Sequence, residues 1–173
     1  GNRLLPGYNA ILGIQGHWQD NNFHGTHVAG TIAEETNNGI GAAGIAFHAK
    51  ILPVKVLPRK GVSYIALNWV VDGINWAADH GAQIINLSLG GANPVQPLED
   101  AINTAVNKGV TVIAAAGTDN GPVGYPAAYQ NVIAVGAIDL NKQRAPYSNY
   151  GPELDIVAPG GDRSENFNGQ PAE

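Results

Sequence analysis

The residues with the clearest chemical potential are two histidines, His24 and His27, in a run rich in glycine and alanine. The run reads His-Gly-Thr-His-Val-Ala-Gly-Thr-Ile-Ala over positions 24–33. Small side chains let neighbouring backbones approach closely, so we expect a buried helix here. A histidine at the start of such an immobile element, with its imidazole facing a cleft, has the placement that a general base needs.

Two other interpretations of these histidines stay open. They could satisfy only local hydrogen bonds. His17, His24 and His27 could instead converge on one metal ion. The zinc-protease pattern, however, places two histidines at i and i+4 around a glutamate, and this sequence has no such arrangement. We therefore favour a general base over a metal ligand.

Hydrophobic periodicity predicts the elements that would position these residues. It indicates strands over 51–57, 83–89, 110–116 and 131–138, helices over 63–80 and 97–108, and one short strand near 10–14. This alternation is typical of an α/β fold with a parallel sheet whose faces are covered. The continuously apolar segment 110–116 is expected to be buried on both faces. His80 precedes Gly81 at a predicted helix end. A favourable interaction with the C-terminal end of the helix dipole explains a histidine there better than a catalytic role does.

The carboxyl ends of the predicted strands are candidate binding positions, because open α/β sheets bind ligands there. One strand ends in Ser-Leu-Gly-Gly at 88–91, and the next ends in Ala-Gly-Thr-Asp-Asn at 116–120. Further along the chain come Tyr-Pro-Ala at 125–127, Tyr-Ser-Asn-Tyr-Gly-Pro at 147–152 and Leu-Asp-Ile-Val-Ala-Pro-Gly at 154–160.

Together with the histidine motif, these segments resemble the subtilisin-like serine proteases, in unbroken order over about residues 20–160. The resemblance implies a three-layer α/β fold, with a mostly parallel sheet and helices on both faces, truncated at both ends. It implies a single partial peptidase domain over 1–173. The implied activity is serine endopeptidase hydrolysis of extended polypeptide substrates, with His24 as the catalytic base and His27 structural. Secretion is also implied.

The same resemblance assigns roles at the strand ends. Ser88, Leu89 and Gly90 would pair with the substrate backbone, which suits a peptide ligand because main-chain hydrogen bonds hold any sequence. Ala116 and Gly117 would form a wall of the substrate pocket. The family usually has asparagine at the position of Thr118, where the amide donates to the oxyanion. A threonine hydroxyl can also donate but reaches less far, so Thr118 is a candidate oxyanion donor.

Calcium is the cofactor that the resemblance implies, in a structural role. The turn-dense segment 34–44 resembles the calcium loop of the family, and Asn38 is its best-matched ligand. A second, weaker cation would be held by the main-chain carbonyls of Ala127, Tyr129 and Val132. Both sites would use oxygen ligands, as hard cations require.

Several family motifs do not occur. The tripeptides that supply the acid of the triad, Asp-Ser-Gly or Asp-Thr-Gly, are absent, as is the Gly-Thr-Ser of the nucleophile. Asp20 is interpreted as a solvated loop residue rather than as a substitute acid, and 161–173 as a polar tail. Because the motifs for the acid and the nucleophile are missing, we expect the chain to be inactive alone. The chain also contains no methionine, so we expect a processed or cut fragment. We expect its core to need the missing segments or a second copy as cover.

Composition excludes other classes of function. The formal net charge of −5 argues against nucleic acid as a partner. No run approaches the roughly 18 apolar residues of a membrane span, and the absence of cysteine excludes disulfides and a thiol nucleophile. The alternative to an endopeptidase is a catalytically silent peptide-binding or structural fragment.

Overall fold

The computed structural model describes residues 3–60, 66–167 and 170–172. The chain divides into two compact units, Gly1–Ala82 and Gln83–Glu173. The expectation of one domain over 1–173 stays a prediction. No helix in the described ranges is both long and apolar enough to cross a membrane.

The first unit contains a small sheet and two helices. Its strands are β1 (Tyr8–Asn9), β2 (Ile14–Gln15) and β3 (Val54–Lys55), and its helices are α1 (His24–Ala33) and α2 (Leu67–Asp79). The strand order is β2-β1-β3, in which β1 pairs antiparallel with β2 and parallel with β3. The strand predicted over 51–57 is therefore correct in place but shorter.

The strand predicted near 10–14 is wrong, because that segment is mainly a turn between β1 and β2. The side-chain oxygen of Asn9 accepts hydrogen bonds from the N–H groups of Ile11 and Leu12, both at 3.1 Å. The N–H of Gly13 donates to the carbonyl of Asn9 at 2.8 Å. A side chain that competes for local backbone donors in this way favours a turn over a continuous strand.

Helix α2 packs on this sheet through its apolar face. Its buried residues lie at helical spacing: Val70, Gly73, Ile74 and Ala77. A side chain at Gly73 would approach the Val56 methyl carbon to 2.7 Å, so glycine is needed for this close contact. The helix begins at Leu67, and the predicted start at 63 lies outside the described residues. His80 caps its C-terminal end and stacks on Trp76 with ring centroids 3.9 Å apart.

The second unit is built on a four-stranded parallel sheet with the order β4-β5-β6-β7. The strands are β4 (Ile84–Leu87), β5 (Thr111–Ala115), β6 (Ile133–Ile138) and β7 (Ile156–Pro159), and α3 (Gln96–Asn107) connects the first two. The predicted strands and helix lie within three residues of these bounds. The segment expected as a polar tail contains two further strands, because β8 (Asp162–Phe167) pairs antiparallel with β9 (Gln170–Ala172).

Only one face of this parallel sheet is well covered. Leu87 and Val112 lie on the covered face and are 6% and 1% exposed, on the side where α3 packs. On the opposite face Ile84 and Ile156 are 62% and 57% exposed. The expectation that 110–116 is buried on both faces is therefore wrong. Its burial alternates because α3 is the only helix among the described residues of this unit.

Helix α1 is also more exposed than its small residues predict, since only Ala33 is buried. The reason is that α1 is attached to its unit mainly at its C-terminal end. The N–H groups of Ile45 and Ala46 donate to carbonyls of the last turn at 3.1 and 2.7 Å, and the Arg3 guanidinium donates to the Ala33 carbonyl at 2.8 Å. The N-terminal end carries the histidines outward.

Candidate functional site

His24 is the first residue of α1, and both His24 and His27 are exposed. The expected position of a histidine at the start of a helix is thus observed, although the helix is not deeply buried. The described residues contain no cluster of three or more His, Cys, Asp or Glu side chains, so His17, His24 and His27 are not brought together around one ion.

Asp20 organises the turn that leads into this helix. One carboxylate oxygen accepts hydrogen bonds from the N–H groups of Asn22 at 2.7 Å and Phe23 at 3.1 Å. The other accepts from the N–H of Thr26 at 2.9 Å and from its hydroxyl at 2.7 Å. Asp20 therefore satisfies donors of the first helical turn from outside the helix, a role that the N-cap side chain normally fills. Sequence reasoning placed Asp20 on the surface correctly but missed this role.

These contacts change the acidity of Asp20. Partial burial raises the pKa of its carboxyl, but the hydrogen bonds from the Thr26 hydroxyl and from three backbone N–H groups outweigh it and lower the pKa from 3.8 to about 2. The reason is that all four bonds favour the ionised form. A negative charge at the N-terminal end of α1 also complements the helix dipole.

The segment Asp20–Phe23 is braced against the chain that follows β3. The Lys55 ammonium donates to the Asn21 side-chain oxygen at 2.8 Å, and the N–H of Lys60 donates to the Asn21 carbonyl at 3.1 Å. The Asn22 side-chain amide donates to the Pro58 carbonyl at 2.9 Å. His24 therefore extends from a turn that is fixed both from within and from a second segment.

In the second unit, the predicted substrate residues follow two neighbouring strands. Ser88, Leu89 and Gly90 follow β4, and Ala116 and Gly117 follow β5. Because β4 and β5 pair in parallel, with Leu87 opposite Ala114, both groups lie at the same edge of the sheet. The structure thus brings these residues together as the strand order requires.

A short backbone bridge closes this edge. The N–H of Gly91 donates to the Tyr125 carbonyl and the N–H of Tyr125 donates to the Gly91 carbonyl, each at 2.8 Å. A side chain at Gly90 would approach the Tyr125 carbonyl oxygen to 2.6 Å. Glycine at 90 is therefore required for the approach of these two segments.

The loop carrying Thr118 is held by the buried side chain of Asn149, which is 4% exposed. Its oxygen accepts from the N–H groups of Asp119 at 2.8 Å and Gly121 at 3.2 Å, and its amide nitrogen donates to the Pro122 carbonyl at 2.8 Å. Gly117 has φ +119°, and a side chain there would collide with the Asn149 amide. Thr118 itself is exposed. Sequence reasoning missed Asn149, whose only signal was the motif at 147–152.

The three predicted carbonyl ligands of the weaker cation site line one cavity of about 190 Å³. Glu153 and Asp155, which sequence reasoning missed, line the same cavity as Ala127, Tyr129 and Val132. One Asp155 oxygen accepts from the N–H of Ala134 at 2.8 Å, and the Tyr129 carbonyl accepts from the N–H of Val132 at 3.1 Å. Carbonyl and carboxylate oxygens are donors that suit a hard cation.

Asn38 lies in an exposed loop after α1. Its side-chain oxygen accepts from the N–H of Ile40 at 3.0 Å, which forms a local turn. Glu34 accepts from the N–H of Ala42 at 3.3 Å and so links the helix end to the same loop. The predicted calcium loop is therefore a hydrogen-bonded turn with an oxygen-bearing side chain on its surface.

Comparison with known proteins gives a consistent result. Residues 13–172 match the model of the subtilase family. The chain is 49% identical over 143 residues to subtilisin Savinase of Lederbergia lenta, covering 82% of this chain and 52% of that protein. It is 45% identical over 166 residues to a thermostable alkaline protease of Halalkalibacterium halodurans, covering 95% of this chain and 45% of that protein.

Solved structures agree. A protease of Pseudoalteromonas arctica superimposes with a TM-score of 0.82 at 35% identity, covering 95% of this chain and 59% of that one. A cold-adapted subtilisin-like serine proteinase gives a TM-score of 0.79 at 32% identity, covering 91% and 56%. The predicted three-layer α/β class is thereby confirmed. The chain spans about half the length of subtilisin Savinase and of the thermostable alkaline protease, 52% and 45% respectively.

Proposed function

Because this chain belongs to the subtilase family, we propose that it is part of a serine endopeptidase that hydrolyses extended polypeptides. His24 is the general base in this proposal. The observation that carries it is the location of His24: it is exposed at the first position of α1, inside the histidine motif, on a turn fixed by Asp20. A base held in this way can accept the proton of a nucleophilic hydroxyl and return it to the leaving amine.

The strand ends supply substrate binding in this proposal. Ser88, Leu89 and Gly90 pair with the substrate main chain, while Ala116 and Gly117 line the pocket for the side chain next to the scissile bond. Their location at one edge of a parallel sheet supports these roles. Thr118, exposed on a loop fixed by Asn149, donates its hydroxyl to the oxyanion.

Catalysis needs a nucleophile and an orienting acid besides a base. The motifs that supply them in the family do not occur in these 173 residues. We therefore expect the 173-residue chain by itself not to hydrolyse peptides, and we expect activity in a longer or assembled form. The open sheet face, with Ile84 and Ile156 exposed, supports the further proposal that segments beyond this chain or a second copy cover it.

Calcium is the proposed structural cofactor. Ala127, Tyr129 and Val132 would supply main-chain carbonyls, and the neighbouring Glu153 and Asp155 carboxylates support a cation in the same cavity. Asn38 would contribute a side-chain oxygen to a separate site. The cation would bind to the folded state and so raise the unfolding temperature. We also propose that the protein is secreted, as the family resemblance implies.

The test uses a fluorophosphonate probe, which labels an activated serine nucleophile. The native protein that carries this sequence should be labelled, and His24→Ala should abolish labelling while His27→Ala, the matched control, retains it. The isolated 173-residue chain should not be labelled. Labelling that survives His24→Ala would refute the assignment of the base, and a native protein that is never labelled would refute the enzyme.

The second candidate is a catalytically silent peptide-binding fragment, favoured by the absent motifs. If this candidate is right, an extended peptide should bind the isolated chain with the same affinity before and after His24→Ala. The fluorophosphonate probe should then label no native form of the protein. Sedimentation tests separately whether further segments or a second copy cover the open sheet face. A 173-residue chain that is a well-folded monomer in dilute solution would contradict that proposal.

A further inference from the structure

Phe23, the residue before His24, combines two unfavourable properties. Its side chain is 68% exposed, and its backbone has φ +78°, a left-handed conformation that bulky residues rarely adopt. The conformation is imposed by its hydrogen bonds, since its N–H donates to Asp20 at 3.1 Å and its carbonyl accepts from the N–H of His27 at 3.1 Å. An aromatic ring is thus held in solvent at a position where glycine would be free of strain.

The ring is paired with a cation. The Lys60 ammonium lies 5.7 Å from the centroid of the Phe23 ring, and the N–H of Lys60 is bonded to the Asn21 carbonyl at 3.1 Å. The result is a small exposed surface, defined by Phe23 and Lys60, that offers an apolar ring beside a positive charge. Strain and exposure that persist together often mark a functional contact.

We propose that Phe23 is a specificity-determining residue that packs against an apolar side chain of the polypeptide substrate, and that Lys60 favours an acidic residue next to it. The inference rests on the proposed function, in which His24 acts on the scissile bond. A general base works within about 3 Å of the proton that it transfers, and adjacent Cα atoms are about 3.8 Å apart. An extended peptide advances about 3.3 Å per residue, so Phe23 reaches only the residues flanking that bond.

Photo-crosslinking tests the contact without requiring catalysis. Phe23→p-benzoylphenylalanine and, as a matched position at the proposed substrate edge, Leu89→p-benzoylphenylalanine are prepared in the native protein that carries this sequence, with His24→Ala added to prevent cleavage of the probes. The probes are the hexapeptides Ala-Ala-Leu-Glu-Ala-Ala, Ala-Ala-Leu-Lys-Ala-Ala and hexa-alanine. We expect both positions to crosslink, and position 23 to prefer the Leu-Glu peptide over hexa-alanine. Lys60→Ala should remove the preference for Glu over Lys.

The outcomes separate the substrate contact of Phe23 from the proposed endopeptidase function. Crosslinking at 89 but not at 23, or equal crosslinking of all three peptides at 23, would overturn the inference and leave the proposed function standing. Crosslinking at neither position would overturn both. Because Phe23→Gly keeps the backbone conformation without strain, it gives a second measurement by fluorescence anisotropy. Its affinity for the Leu-Glu peptide should fall about tenfold, with hexa-alanine unchanged, and Phe23→Tyr should retain binding. Equal affinities of Phe23→Gly and the parent would refute the contact.

Discussion

Replacing Asp20 by asparagine should destabilise the first unit at neutral pH but not in acid. The fold lowers the pKa of Asp20 from 3.8 to about 2. At 1.36 kcal/mol per pKa unit this difference corresponds to about 2.4 kcal/mol, and because the carboxylate is exposed we discount it for solvent screening to about 1 kcal/mol. The lowered pKa means that this stabilisation is complete above about pH 5 and is lost as the pH falls towards 2.

The assay is urea unfolding followed by tryptophan fluorescence at about pH 7, 4 and 2. All three tryptophans, Trp18, Trp69 and Trp76, lie in the first unit, so the signal reports on the unit that contains Asp20. Asp20→Asn should lose about 1 kcal/mol at pH 7 and approach the parent near pH 2, where the carboxyl of the folded parent is about half protonated and most of the stabilisation is lost. Asp72→Asn, at an exposed position on α2, is the control. Equal effects of the two variants at pH 7, or a deficit of Asp20→Asn that persists at pH 2, would refute the reasoning.

Three further predictions concern the backbone of the candidate site. Asn149→Ala should cost about 2–4 kcal/mol in urea unfolding and speed hydrogen exchange at the amides of Asp119 and Gly121, because these groups lose their partner; unchanged exchange would contradict it. Phe23→Gly should be more stable than Phe23→Ala by about 1 kcal/mol in thermal unfolding, since only glycine avoids strain at φ +78°; the opposite order would count against the strain. Gly90→Ala should cost more than about 1 kcal/mol because its methyl group would contact the Tyr125 carbonyl at 2.6 Å, whereas Gly91→Ala, with open space, should cost less; similar losses would refute the close approach.

Hydrophobic periodicity predicted the bounds of the strands and the helix of the second unit well, because each of these elements has a local pattern of buried and exposed residues. The alternation of α3 with β4 and β5 is visible in the sequence, and the order of parallel strands then places Ser88 and Ala116 at one edge. Periodicity could not show which sheet face is covered, since that depends on packing partners. It also failed at 10–14, where one side chain, Asn9, determines the turn.

The site was predictable only as far as its motifs extend. His24 is part of a motif, but the role of Asp20 depends on a turn that folds back onto Thr26. Glu153 and Asp155 are more than 20 positions from Val132, so their shared cavity arises from the pairing of β6 with β7. Asn149 acts on 119–122 through the same kind of long-range contact. These contacts follow from the tertiary structure, and the spacing of residues along the sequence does not predict them.

The two ends of α1 are attached by different chemistry. Its last turn is held by main-chain carbonyls that accept from Ile45, Ala46 and the Arg3 guanidinium, none of which changes charge below neutral pH. Its first turn is held by one carboxylate that does. Acid near pH 2 should therefore loosen the helix from its histidine end, while the hydrogen bonds of the last turn persist. The helix would then pivot about its last turn, and the position of His24 would depend on the protonation of Asp20.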